Sequence, residues 1–186
     1  DGTAVNALGI FEQGFYNRLG YGNGSYEHWI RFDPAQLDIA TRARPPKRLT
    51  AAHAPQIHQA LLNRPRGHGA VNIHPLLYTE ADLSFHSRDF GLGYFDGEGG
   101  ALSHFIWANA RGQNGPYRII YMAYQNREQF LELMAWLKSM GDQVRVVHMR
   151  EPADIQLQDL IRHPFRQRRV TEKGEYATGA SATAYW

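Results

Sequence analysis

The chain has 186 residues, with 20 Lys and Arg against 18 Asp and Glu, for a formal charge of +2. A hydrophobic content of 43% with 12% aromatics supports a buried core and excludes a disordered chain. With no cysteine, disulfides, thiolate catalysis and cysteine-bound zinc or iron–sulfur centres are excluded, and a cytoplasmic setting is expected.

No apolar run approaches the roughly 18–20 residues of a membrane helix, so no membrane partner is expected. The opening residues do not read as a signal peptide, so none is expected, and the sequence begins with Asp1 in place of a Met. The chain opens directly into a strand-like run at 3–8, which reads as a fragment or a processed chain. Residues 11–19 carry Phe11, Phe15 and Leu19 at i, i+4 and i+8, the face of a short helix, and Gly20 follows as a C-cap. Residues 25–32 alternate Tyr26, His28, Ile30 and Phe32 against Glu27, Trp29 and Arg31, which is strand periodicity.

Residues 38–47 hold charges and two prolines without an apolar period and read as a stiff linker at a domain boundary. Beyond it a helix is expected over 53–63, with Ile57, Leu61 and Leu62 on one face, then a loop at 64–69 and a helix near 80–85. Residues 90–95 and 100–109 read as a hairpin around Asp96-Gly97-Glu98-Gly99. Residues 117–124 are apolar on both faces, as in an interior strand. The clearest helix spans 127–140, with Phe130, Leu133, Met134, Leu137 and Met140 as its buried stripe and Gly141 ending it. A strand over 143–149, a short helix over 154–161 and a strand-like piece near 182–186 complete the order. The unit over 117–149 is strand–helix–strand, which predicts a crossover between parallel strands.

The run Val5-Asn6-Ala7-Leu8 followed by Phe11 through Gly22, with its phrase Phe15-Tyr16-Asn17-Arg18-Leu19-Gly20-Tyr21-Gly22, resembles the C-terminal part of a GNAT-superfamily N-acetyltransferase domain. In that superfamily a core strand leads to a short helix bearing such a phrase, and a long strand follows. The whole chain looks like an internal piece of the enhanced-intracellular-survival type, in which a catalytic GNAT domain precedes a degenerate second one and a sterol-carrier-like third. The resemblance implies an α/β fold: a partial GNAT unit, then a degenerate GNAT-like mixed sheet with flanking helices. Residues 1–37 would end the first domain, 38–47 the linker, 48–167 the second domain, and 168–186 a tail leading to a third.

The function implied is acetyl-CoA-dependent transfer of acetyl to an amine, small-molecule or peptide, by a self-associating parent protein. Tyr16 is the expected catalytic residue, returning a proton to the departing thiolate; a phenol with an ordinary pKa near 10 carries that proton at neutral pH. Phe11 and Phe15 are expected to line the acyl or pantetheine channel. A pyrophosphate cradle needs backbone N–H groups at a glycine-containing helix start. The start at 125–130 reads Gln-Asn-Arg-Glu-Gln-Phe, with no glycine and with Glu128 where phosphate would approach. The second unit is therefore expected to keep the topology without binding CoA, and the isolated chain to be inactive. The competing reading is a non-catalytic scaffold or oligomerisation module.

Other constellations read as ordinary structure. The basic, glycine-rich loop over 64–69 lacks a P-loop pattern and reads as surface. The pairs His53/His58 and His68/His74 lack a third ligand at metal spacing, and His104 and His148 read as hydrogen-bonded structural histidines, so no metal is expected. The basic run at 162–169 reads as a solvated or interdomain segment; with a whole-chain charge of +2, nucleic acid is not the expected partner.

Overall fold

The computed structural model describes residues 15–22, 26–65, 74–85, 87–163 and 182–184. The expected strand at 3–8 lies outside them. Strands β1 (Tyr26–Phe32), β2 (Lys47–Leu49), β3 (Asp89–Tyr94), β4 (His104–Ala110), β5 (Tyr117–Ala123), β6 (Val147–Arg150) and β7 (Ala182–Ala184) form one sheet in the order β2-β3-β4-β5-β6-β1-β7. The β3–β4 hairpin and the β4–β5 pair are antiparallel, and β5 and β6 run parallel, as the strand–helix–strand pattern requires. β1, on the N-terminal side of the expected boundary, pairs antiparallel with β6 on the other side, Trp29 opposite Arg150 and Phe32 opposite Val147.

Alternation along the strands divides the core in two. Phe32, Ile106, Ala108, Ile119, Val147 and Met149 face helix α3 (Arg127–Ser139), whose Phe130, Leu133, Met134 and Leu137 are buried against them. Phe105, Trp107 and Ala123 face the other way, under helices α1 (Ala54–Asn63) and α2 (Leu76–Ser84). Gly91 sits where this second layer is tightest: a Cβ there would fall 2.3 Å from the Trp107 ring and 2.8 Å from Leu49.

Several boundaries differ from the sequence reading. The end of the expected linker is the edge strand β2, paired with β3 through Leu49 and Gly91. The second helix starts at Leu76, earlier than expected. The strand expected over 143–149 is confined to Val147–Arg150, because residues 140–144 turn back on the end of α3 through the Gln143 and Val144 N–H groups, which donate to the Met140 carbonyl. The helix expected over 154–161 is one 3₁₀ turn, Leu157–Leu160. The described part of the helix at 11–19 is also a 3₁₀ turn, Tyr16–Leu19, closed by Gly20 at a left-handed φ of 88°.

Segment 38–46 lies across α3 and is tied down. Lys138 Nζ donates to the Ile39 carbonyl at 2.8 Å, and the Arg44 guanidinium reaches the Glu132 carboxylate. Residue 37 forms an isolated bridge with Ile161.

Candidate functional site

The topology concentrates irregularity at the β5–β6 junction. Register between β4 and β5 steps from Trp107–Tyr121 to Ala108–Ile119, which leaves Ile120 as a bulge residue. The bulge puts both Ile120 and Tyr121 on the α1–α2 side of the sheet, where both pack against that core. β5 and β6 pair only at Tyr117–Val147 and Arg118–His148 and then part. Parallel strands that separate at their C-terminal ends open a crevice, the usual ligand position in α/β sheets.

The start of α3 faces the same end. Asn126 caps it, its side chain accepting from the Gln129 N–H at 2.9 Å, while the Gln129 side chain accepts from the Gln125 N–H at 2.7 Å. Glu128 occupies the first turn. The donors that would hold a pyrophosphate are thus partly used by the chain itself, and a carboxylate complements the helix dipole. These residues do not fit a CoA pyrophosphate.

On the α1–α2 side a cleft of about 610 Å³ opens beside this junction. Its apolar wall is Trp29, Phe85 and Ile120, and Arg88, Arg111, Arg118 and Arg150 line it. Arg118 and Arg150 lie over the Trp29 ring, 4.9 and 5.2 Å from its centroid, and His148 contacts the same ring at 4.8 Å. Burial, reinforced by Arg31, Arg118 and Arg111, holds the His148 imidazole below its ordinary pKa. Tyr121 donates to Asp82, and burial together with that carboxylate pushes its phenol up.

A second polar cluster lies on the α3 side. Glu132 accepts from Arg44 Nε and a terminal guanidinium nitrogen, both at 2.7 Å, from the Arg44 backbone N–H at 3.2 Å, and from His104 Nε2 at 3.1 Å. The Arg44 hydrogen bonds hold its carboxyl down to about 2. Arg44 also pairs with Asp96 at 2.6 Å, which lowers that carboxyl too. The Tyr94 ring stacks on His104, 4.4 Å between centroids, and burial pushes its phenol up to about 12.

Ser103, His104 and Glu132 stand in a hydrogen-bonded row, with Ser103 Oγ 2.8 Å from His104 Nδ1. The row is not a nucleophile: Ser103 is 3% exposed and His104 1%. The Ser103 hydroxyl has two acceptors in reach, the Tyr94 carbonyl at 2.9 Å, which also takes the Ser103 N–H, and His104 Nδ1. Burial lowers the His104 pKa, and a neutral imidazole carrying its proton on Nε2 donates to Glu132. Asp96, His104 and Glu132 also converge closely enough to suit a cation, but the Arg44 guanidinium fills that role between the two carboxylates. The cluster anchors segment 38–46 on the sheet.

Of the residues expected from the sequence, Tyr16 is half-buried on its 3₁₀ turn, edge-on to Phe15 at 5.3 Å and to Tyr21 at 5.8 Å. Phe15 is 45% exposed, and Phe11 lies outside the described residues. His53 accepts from the Thr50 N–H at 3.1 Å, and His58 pairs with Thr79 at 2.9 Å, each a local structural contact. Within the basic run, Arg162 pairs with Asp38, and residues 164–169 lie outside the described set. Sequence reasoning missed the arginine cleft, whose members are scattered from residue 88 to 150, and the buried Glu132. The available signal for Glu132 was its place one turn before Trp136, beside the apolar stripe.

No known protein-family profile matches the chain, and no curated protein matches it in sequence. Solved structures match it in fold. A protein from Enterococcus faecalis V583 described as a "Probable N-Acyltransferase" aligns over 96% of this chain and 42% of its own, with a TM-score of 0.72 and 19% identity. A GCN5-related N-acetyltransferase from Kribbella flavida aligns over 96% and 41%, with a TM-score of 0.65 and 16% identity. Eis1 from Mycobacterium abscessus aligns over 83% and 42%, with a TM-score of 0.63 and 17% identity. The fold is GNAT-like, a mixed α/β sheet with few helices, and the chain spans less than half the length of each of these structures. Among the described residues no helix is long and apolar enough to cross a membrane.

Proposed function

We propose that this chain is part of an acetyl-CoA-dependent N-acetyltransferase of the enhanced-intracellular-survival type, and that it is inactive alone. The observation that carries this reading is the GNAT-like fold, shared over 96% of the chain with a structure of which it covers 42%. The self-capped start of α3 supports the second half of the reading. A sheet that cannot cradle a pyrophosphate leaves cofactor binding to another unit of a longer protein.

In this reading Tyr16 acts for that other unit, with Phe11 and Phe15 along its acyl channel. The amine nitrogen of a small-molecule or peptide acceptor attacks the thioester carbonyl carbon. The C–S bond breaks, the sulfur takes the Tyr16 proton, and the amine proton passes to a base that the described residues do not identify. Self-association and a cytoplasmic setting belong to the same proposal. The scaffold alternative draws on the capped α3 start, and it removes the role of Tyr16 altogether.

The two readings separate by thiol release. The 186-residue chain, mixed with acetyl-CoA and a polyamine or aminoglycoside-like amine, is expected to release no free thiol. In the longer protein that this reading requires, Tyr16→Phe is expected to lower kcat by about 10²–10⁴-fold while KM for acetyl-CoA stays put. Turnover by the short chain overturns the missing-cradle argument, and an unaffected Tyr16→Phe enzyme leaves the scaffold reading.

A further inference from the structure

The cleft beside the β5–β6 junction has a use that acetyl transfer does not explain. Four arginines reach it from separate places: Arg88 before β3, Arg111 after β4, Arg118 on β5 and Arg150 on β6. Two carboxylates share the lining, and both accept from neutral donors. Asp89 takes the Asn109 amide at 2.6 Å and the Trp107 indole N–H at 3.3 Å, and Asp82 takes the Tyr121 hydroxyl. Arg88, Arg111 and Arg118 alone outnumber these two acids in the lining.

Holding like charges around one concavity is unfavourable unless an anion completes it. Trp29 makes the arrangement tolerable. Guanidiniums stacked on an indole face keep their N–H edges directed outward, in the fork that matches an oxyanion. We propose that this cleft binds a compact, multiply charged oxyanion such as a phosphate ester or a polycarboxylate.

The volume of about 610 Å³ lies within the range of small-ligand sites, roughly 300–1,000 Å³. The charge converges on one concavity and does not track along a stripe as a nucleic-acid path does. Trp29, Phe85 and Ile120 give the ligand's carbon body an apolar wall. The proposal stands apart from the acetyltransferase reading, since it concerns a different face and needs no turnover.

Calorimetric titration of the 186-residue chain tests it, with inorganic triphosphate, citrate and a single-stranded oligonucleotide as probes. One triphosphate per chain is expected to bind, and raising NaCl from about 50 to about 200 mM is expected to weaken it markedly. Binding of citrate as well marks a general polyanion site, and binding of triphosphate alone marks a phosphate source; both support the proposal. Arg111→Ala and Arg118→Ala are each expected to weaken binding about tenfold, while Arg42→Ala, an exposed arginine outside the cleft, leaves it within about twofold. Among the described residues Arg111 stacks on no ring, so an unchanged thermal midpoint in that variant separates lost binding from lost folding. No binding of either small anion, equal weakening by Arg42→Ala, or oligonucleotide binding that triphosphate does not compete overturns the proposal.

Discussion

Glu132 stays ionised where burial disfavours charge, because four donors converge on its two oxygens. Its carboxyl is held at about 2 against an ordinary 4.5. An unfolded chain takes up that proton near 4.5, the folded one only near 2, so its contribution is complete above 4.5 and is lost as pH falls toward 2. The shift corresponds to on the order of 3 kcal/mol. His104 acts in the same sense from a higher pH. Its imidazole is kept neutral by burial, so below an ordinary 6.5 the unfolded chain binds a proton that the folded one refuses. Thermal midpoints are therefore expected to start falling below about pH 6.5 and to drop more steeply below about 4.5. Glu132→Gln removes the steep limb and costs about 3 kcal/mol at neutral pH, since it leaves Arg44 and His104 partly unpaired. Parallel pH profiles for the variant and the parent chain would show that Glu132 does not carry the acid limb.

At the scale of elements, α3 ends against the 3₁₀ turn Pro34–Gln36, and Gly141 makes that contact possible. A Cβ on Gly141 would lie 2.6 Å from the Ala35 backbone nitrogen and 2.7 Å from its Cα. Gly141→Ala is expected to lose about 1–3 kcal/mol by urea denaturation, as overpacking against backbone does. Gly22→Ala is expected to stay within about 0.5 kcal/mol, since among the described residues nothing stands within 4 Å of its Cβ position. The sequence marks Gly141 as a helix stop, but Met140 is the C-cap, and the glycine is needed for space. The same division runs through the fold. The 90–109 hairpin, β5 and α3 were legible because period-2 and period-3.6 patterns extend over several residues there. β2 was not, because three residues after two prolines carry a single buried apolar side chain, Leu49. The candidate cleft was illegible for a related reason. Its arginines are isolated along the sequence and meet only through strand order, whereas the visible basic run at 162–169 places its one described arginine on Asp38.

For the molecule as a whole, the question is whether residues 38–47 divide two folding units. The sheet runs across them: β1 sits between β6 and β7, and its Phe32 joins Leu37 in the core under α3. Removing residues 1–37 would strip β6 of one of its two neighbours, open the core where Phe32 is 7% and Leu37 0% exposed, and delete Trp29 from the cleft. Each of those two buried side chains is worth about 1.5–3 kcal/mol, and the backbone pairing adds to them, against a typical domain stability of about 5–15 kcal/mol. A chain of residues 38–186 is therefore expected to melt without a cooperative transition and to bind a hydrophobic dye. A synthetic peptide of residues 26–37 is expected to restore the transition by re-forming β1 against β6. A cooperative melt of the 38–186 chain without the peptide would place the folding boundary in the linker and reduce β1 to an accessory strand.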